Sequence, residues 1–169
     1  MNDSLIDKLE SWDGVHVQYL KDIYESQRDH RDFFSHLMEL YLAHPQYQKA
    51  ITWLIKYHHE KGQTVDQEIV STLYLLSNEV NDWETKLHLL QIMPDIFIPR
   101  DAYPQVEAFV RKCLEGSKPF VRAWAYQGLY EIAQYTPELI PELKNLCEYA
   151  LEEESPSVKA RVRKILEKL

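Results

Sequence analysis

The stretch Lys118–Ala133, KPFVRAWAYQGLYEIA, decides the fold. A proline stands near its start, where a missing N–H costs a helix nothing. Behind it Val121, Trp124, Ala125, Gly128, Leu129 and Ile132 recur at helical spacing. Thirty-seven residues later the chain reads SPSVKARVRKILEKL (155–169), and Pro, Val, Ala and Leu return at the same places. Residues 104–129 laid over 141–166 without a gap show seven identities: two prolines, a Leu-Glu pair, Val, Ala and Leu. In each copy an amphipathic helix, a short polar turn and a proline-opened second helix follow one another. In the second copy the first helix carries Leu139, Leu143, Leu146, Cys147, Ala150 and Leu151 as its apolar stripe. Such a unit leaves its apolar faces half covered, and stacking a second unit covers them.

Composition agrees with helices. Of 169 residues 45% are hydrophobic and 27% charged, so the chain can build a core. Glycine occurs four times, and Gly14, Gly62 and Gly116 fall where helices should stop. Ten helices are predicted: 3–12, 15–26, 31–43, 46–61, 65–80, 83–97 with a break at Pro94, 102–115, 119–134, 138–153 and 156–168. Neither a Pro/Gly/Ser linker nor a low-complexity tract divides them, so one domain over 1–169 is expected. The amino-terminal stretch MNDSLIDKLESW has no basic region ahead of an apolar run, and no apolar stretch is long enough for a bilayer. That points to the cytoplasm, where Cys113 and Cys147, each in an apolar stripe, are expected as buried thiols.

This pattern resembles the HEAT and armadillo repeat family. The family's second helix carries Val-Arg followed by small or apolar residues three, four, seven and eight places after the Val. Here those are Val121–Arg122 with Trp124, Ala125, Gly128 and Leu129, and Val158–Lys159 with Arg161, Val162, Ile165 and Leu166. A degenerate echo is Thr85–Lys86 with His88, Leu89, Ile92 and Met93. The closing stretch is also similar to the ends of small bacterial HEAT-like proteins. The resemblance implies an all-α fold: a short right-handed α-solenoid of about five helix pairs, with its clearest repeats at 101–137 and 138–169.

Chemistry-bearing motifs are scarce. No HExxH, clustered Cys/His spacing, GxSxG or glycine-rich phosphate loop is present. Asp32/His36 and Glu84/His88 share helix faces but supply two ligands each, so no metal and no cofactor is expected. His58 and His59 close a helix, where they would suit its carboxyl-terminal dipole. The expected function is therefore a non-catalytic protein–protein interaction module that takes its partner in a concave groove.

Arg122, Tyr126 and Tyr130, at four-residue steps, are the expected partner-binding ridge, because Arg and Tyr are enriched at interface cores. Trp124 has two readings: a core residue packed over Gly128, or an aromatic platform in the groove. The HEAT resemblance adds a second function, since glycosylase members use groove aromatics, an acid and an arginine. Trp124, Arg122 and Asp101 or Glu131 could be cast in those roles. Net charge opposes that casting. The chain carries −8 overall, with +4 in the last twelve residues and −12 in the remainder, which repels a phosphate backbone and suits a basic protein partner. A neutralising partner of the antitoxin or immunity type is a third reading. The basic end, Lys159, Arg161, Arg163, Lys164 and Lys168, reads either as the polar cap of a terminal repeat or as a dock for an acidic partner.

Overall fold

Apolar residues at three- and four-residue steps produce helices along the chain, and prolines stand in the first turn of the last four. The computed structural model describes residues 2–169, with side chains from Leu5 onward. Its α-helices are α1 (Asn2–Glu10), α2 (Val17–Gln27), α3 (Phe33–Ala43), α4 (Gln48–Glu60), α5 (Gln67–Leu75), α6 (Trp83–Ile92), α7 (Tyr103–Leu114), α8 (Pro119–Ala133), α9 (Ile140–Glu153) and α10 (Pro156–Leu166). Five single-turn 3-10 segments flank them, and no strand occurs among the described residues. The fold class is all-α, as expected. No helix is long and apolar enough to cross a membrane.

Each expected helix has a counterpart, and the differences lie at the ends. The 65–80 segment stops as an α-helix at Leu75 and closes in the 3-10 turn Ser77–Glu79. Pro94 cannot donate a hydrogen bond into α6, which ends at Ile92 and tightens into the turn Met93–Asp95. Asp82 caps α6: its carboxylate accepts from Thr85 N at 2.7 Å and Thr85 Oγ1 at 2.8 Å. Gly62, at φ +75°, ends α4 with a Schellman pair, Gln63 N to His58 O at 3.2 Å and Gly62 N to His59 O at 2.8 Å.

The chain divides into two compact units, Met1–Ile69 and Val70–Leu169. In the first, α4 packs on α2 and α3, and Leu20, Tyr24, Leu37, Tyr41, Ile51, Leu54 and Ile55 form a core from which water is excluded.

The second unit is organised around α8, which packs against α6, α7, α9 and α10. Three of the five repeat columns read from the sequence are core columns; the columns of His88, Trp124 and Arg161 and of Met93, Leu129 and Leu166 are not, since Trp124, Arg161 and Leu166 are only half-buried. Thr85, Val121 and Val158 are buried, and so are Leu89, Ala125 and Val162, and Ile92, Gly128 and Ile165. Cys113 and Cys147 are free thiols in this interior, and burial pushes their pKa values up to about 11 and about 12. They are therefore protonated and unreactive at neutral pH. Leu146, expected in the core stripe, is only half-buried; Leu143, Cys147 and Ala150 carry that stripe.

Two expectations for α8 are corrected. Tyr126 does not face outward: it is 7% exposed, on a helix that packs against α6, α7, α9 and α10. Gly128 does not make room for Trp124. A Cβ there would lie 2.9 Å from Met93 Sδ and 3.1 Å from Val110 Cγ2, so the glycine admits α7 and the turn after α6.

Candidate functional site

The expected ridge is dispersed by its own chemistry. Arg122 sends Nε and Nη2 to the two carboxylate oxygens of Glu154, both at 2.8 Å, and Nη1 to the Gly116 carbonyl at 2.9 Å. The pair holds the Glu154 carboxyl below its ordinary value, Arg122 being the largest cause. Arg122 thereby ties the turn before α8 to the end of α9. Its copy-partner Lys159 does similar work one repeat later, donating to the Glu152 carbonyl at 3.0 Å. These residues hold turns in place. With Arg122 bound in this way and Tyr126 inside, neither presents a contact surface for a partner.

What remains accessible is the seam between α8 and α10. Trp124 is half-buried, and the Arg161 guanidinium lies over its ring, 3.9 Å from the centroid. Further along, Lys168 Nζ lies 5.5 Å from the centroid of Tyr130. Early residue meets early residue and late meets late, so the two helices run in the same direction. The expected site residues Trp124 and Tyr130 thus share a seam, the first under Arg161 of α10 and the second beside Lys168, just past its end. A guanidinium on an indole is favoured by the ring's negative face and by its weak hydration.

Arg161 has a further property. No carboxylate lies within salt-bridge distance of it, and no hydrogen bond is made by its five N–H donors among the described residues. Burial alone pushes its pKa down. Two other arginines of this unit are matched: Arg122 as above, and Arg111, which donates to Glu107 at 2.8 Å and to Glu142 at 2.7 and 2.9 Å. A stacked, partly desolvated guanidinium with an unused donor fork suits a planar carboxylate or a phosphate. On the same helix Arg163 and Lys164 are exposed, and so is Lys168 just past its end.

The glycosylase casting does not assemble. Arg122 is bound to Glu154, Trp124 is covered by Arg161, and Glu131 accepts from Gln127 Nε2 at 2.6 Å. Among the described residues no three His, Cys, Asp or Glu side chains gather to hold a metal. One signal for the Trp124–Arg161 contact was available in the sequence: the two occupy the same column of the repeat, and stacked repeats make column mates neighbours.

In the first unit the titratable groups serve structure. The Tyr24 hydroxyl is 2.8 Å from His58 Nδ1 and donates to the neutral ring. Burial lowers the His58 pKa, so at neutral pH it brings no charge to the end of α4, contrary to the dipole role expected of it. Its neighbour His59 is also buried. Asp13 accepts from the His16 ring and from the Val15 and His16 amides ahead of α2, which raises the His16 pKa. Proton NMR is expected to show His16 titrating above 6.5 and His58 below it. The signs for stability are opposite. The unfolded chain binds the His58 proton first, so its contribution falls as pH drops below 6.5. The His16 contribution is present below 6.5 and lost as pH rises through its folded value. Titration of the two rings in the reverse order would contradict both contacts.

No family model matches this chain, and neither a curated protein nor a solved structure does.

Proposed function

We propose that this chain is a non-catalytic, HEAT-like helical-repeat module that binds a partner protein, and that the α8–α10 seam takes an acidic segment of that partner. The repeat reading rests on the buried columns shared by α6, α8 and α10 and on the packing of α8 between the other two. One observation carries the binding role: Arg161 stacks on Trp124 with no acid and no acceptor for its donors. Arg161 is half-buried, so its guanidinium is partly stripped of water, and a partner carboxylate supplies the charged acceptor that its fork does not find within the chain. Tyr130 and Trp124 add aromatic area, and Lys168 extends the positive edge. A basic partner, which net charge alone suggests, would meet like charges along this seam.

The test compares wild type with Arg161→Ala and with Arg161→Ala plus Lys168→Ala. Proteins captured from the source cell by wild type are identified, and the acidic segment of each is synthesised and titrated against all three chains. Loss of the Arg161 fork is expected to weaken such a segment by about 2 kcal/mol, roughly 30-fold, with helicity retained. Equal affinity for wild type and the double variant would remove the seam from the function.

A further inference from the structure

A second basic site lies away from the seam, where the starts of α6 and α8 meet the end of α7. A cavity of about 390 Å³ is lined there by Trp83, Lys86, Lys112, Ser117 and Lys118, together with Asp82. We infer that this cavity binds a small phosphate-bearing anion, with the three lysines as its countercharges.

Charge is the first argument. In a chain of net charge −8, three ammonium groups line one hollow. Among the described residues none of them has a carboxylate within 4 Å. Asp82 is the acid at the rim, and its Oδ2 already accepts from both the amide and the hydroxyl of Thr85. Lys112 reaches the Asn78 carbonyl only at 3.4 Å, and Lys118 lies over the Trp83 ring at 5.1 Å. Like charges around a cleft repel one another and concentrate counter-ions between them.

The residue types narrow the ligand. Lysines are compact point charges with rotatable donors, and they bind phosphate groups in that way. Next to the cavity α8 begins, with Lys118 as its N-cap and no side-chain cap bond, so its first-turn N–H groups add positive potential on the same side. Trp83, 38% exposed, offers a flat apolar wall beside the lysines. Its ring can stack a base, so a nucleoside phosphate uses every part of the cavity, while inorganic pyrophosphate uses the lysines alone. The hollow is within the size range of small-molecule sites.

Lys86, Lys112 and Lys118 stand on three different elements at no motif spacing, so sequence reading passed over them. Calorimetric titration of the full chain at low ionic strength tests the inference, with pyrophosphate, ADP, adenosine and a glutamate-rich peptide as probes. Saturable one-to-one binding of ADP and pyrophosphate is expected, with none of adenosine. Lys112→Ala with Lys118→Ala changes two exposed side chains, so folding is retained by circular dichroism while both affinities fall at least about tenfold. Trp83→Leu separates the two sources of phosphate: it weakens ADP and leaves pyrophosphate unchanged where the base stacks, and it spares both where the phosphates bind alone. Failure of both ADP and pyrophosphate to bind at millimolar concentration, undiminished binding by the double lysine variant, or tighter binding of the peptide than of either phosphate would each overturn the proposal.

Discussion

Phe109→Ala is expected to destabilise the protein by about 3–5 kcal/mol, measured by urea unfolding followed through far-UV circular dichroism. Phe109 has no solvent exposure, and its helix α7 lies against α8, the element on which the second unit is built. Truncation removes a large apolar surface and leaves a cavity. The buried residues of α7 and α8, among them Val106, Val110, Val121, Leu129 and Ile132, belong to packed helices and cannot all collapse into the hole. Leu146 occupies the matching place one repeat later and is only half-buried, so Leu146→Ala is expected to cost about 1–2 kcal/mol. A loss below half a kcal/mol for Phe109→Ala, the level of a surface substitution, would mean that α7 does not sit on α8 as described.

The helices were legible because proline, cap residues and apolar steps act locally. Pro119 and Pro156 stand at helix starts, Gly62 at a helix end and Pro94 at a helix break, and each does what its backbone chemistry demands. The repeat columns were legible for a related reason. A residue covered by the next unit must be apolar in every copy, and Leu89, Ala125 and Val162 satisfy that. Leu146 shows where the rule weakens, since an apolar residue can also rest at the margin of a core.

The seam and the lysine cavity were less legible, because both depend on what lies across from a side chain. Arg122 looked available until Glu154, 32 residues away, met it with both oxygens. Tyr126 looked exposed because it stands one turn from Arg122 and one from Tyr130, yet it is buried, and so is Gln127 beside it, at 6% exposure. α8 packs against four helices, so Tyr126 and Gln127 enter the interior and Arg122 pairs with Glu154. Amphipathic reading assumes one free face, and for a central helix that assumption fails.

Gly128→Ile makes the repeat more regular and is expected to be the more damaging of two changes at this position. The other two copies hold Ile92 and Ile165 in this column, both buried. At Gly128, however, the neighbours have already moved in. A Cβ would meet Met93 Sδ at 2.9 Å, Val110 Cγ2 at 3.1 Å and Leu90 Cδ2 at 3.3 Å. Alanine gains about 1 kcal/mol of helix propensity over glycine, and the flexible thioether of Met93 can yield a few tenths of an ångström. Gly128→Ala should therefore stay within about 1 kcal/mol of wild type. Isoleucine adds three more carbons to a site whose nearest neighbours include the buried Val110 and Leu90. That overpacking should cost about 3 kcal/mol, near the upper end for methylenes forced into a filled core. Pairing the change with Met93→Ala isolates the cause. If the clash with Met93 dominates, the double variant recovers part of the loss, and the cycle shows a coupling of about 1 kcal/mol or more. If Gly128→Ile is as stable as wild type, the close approach of Met93 and Val110 to α8 is wrong, and with it the packing that makes α8 the centre of this unit.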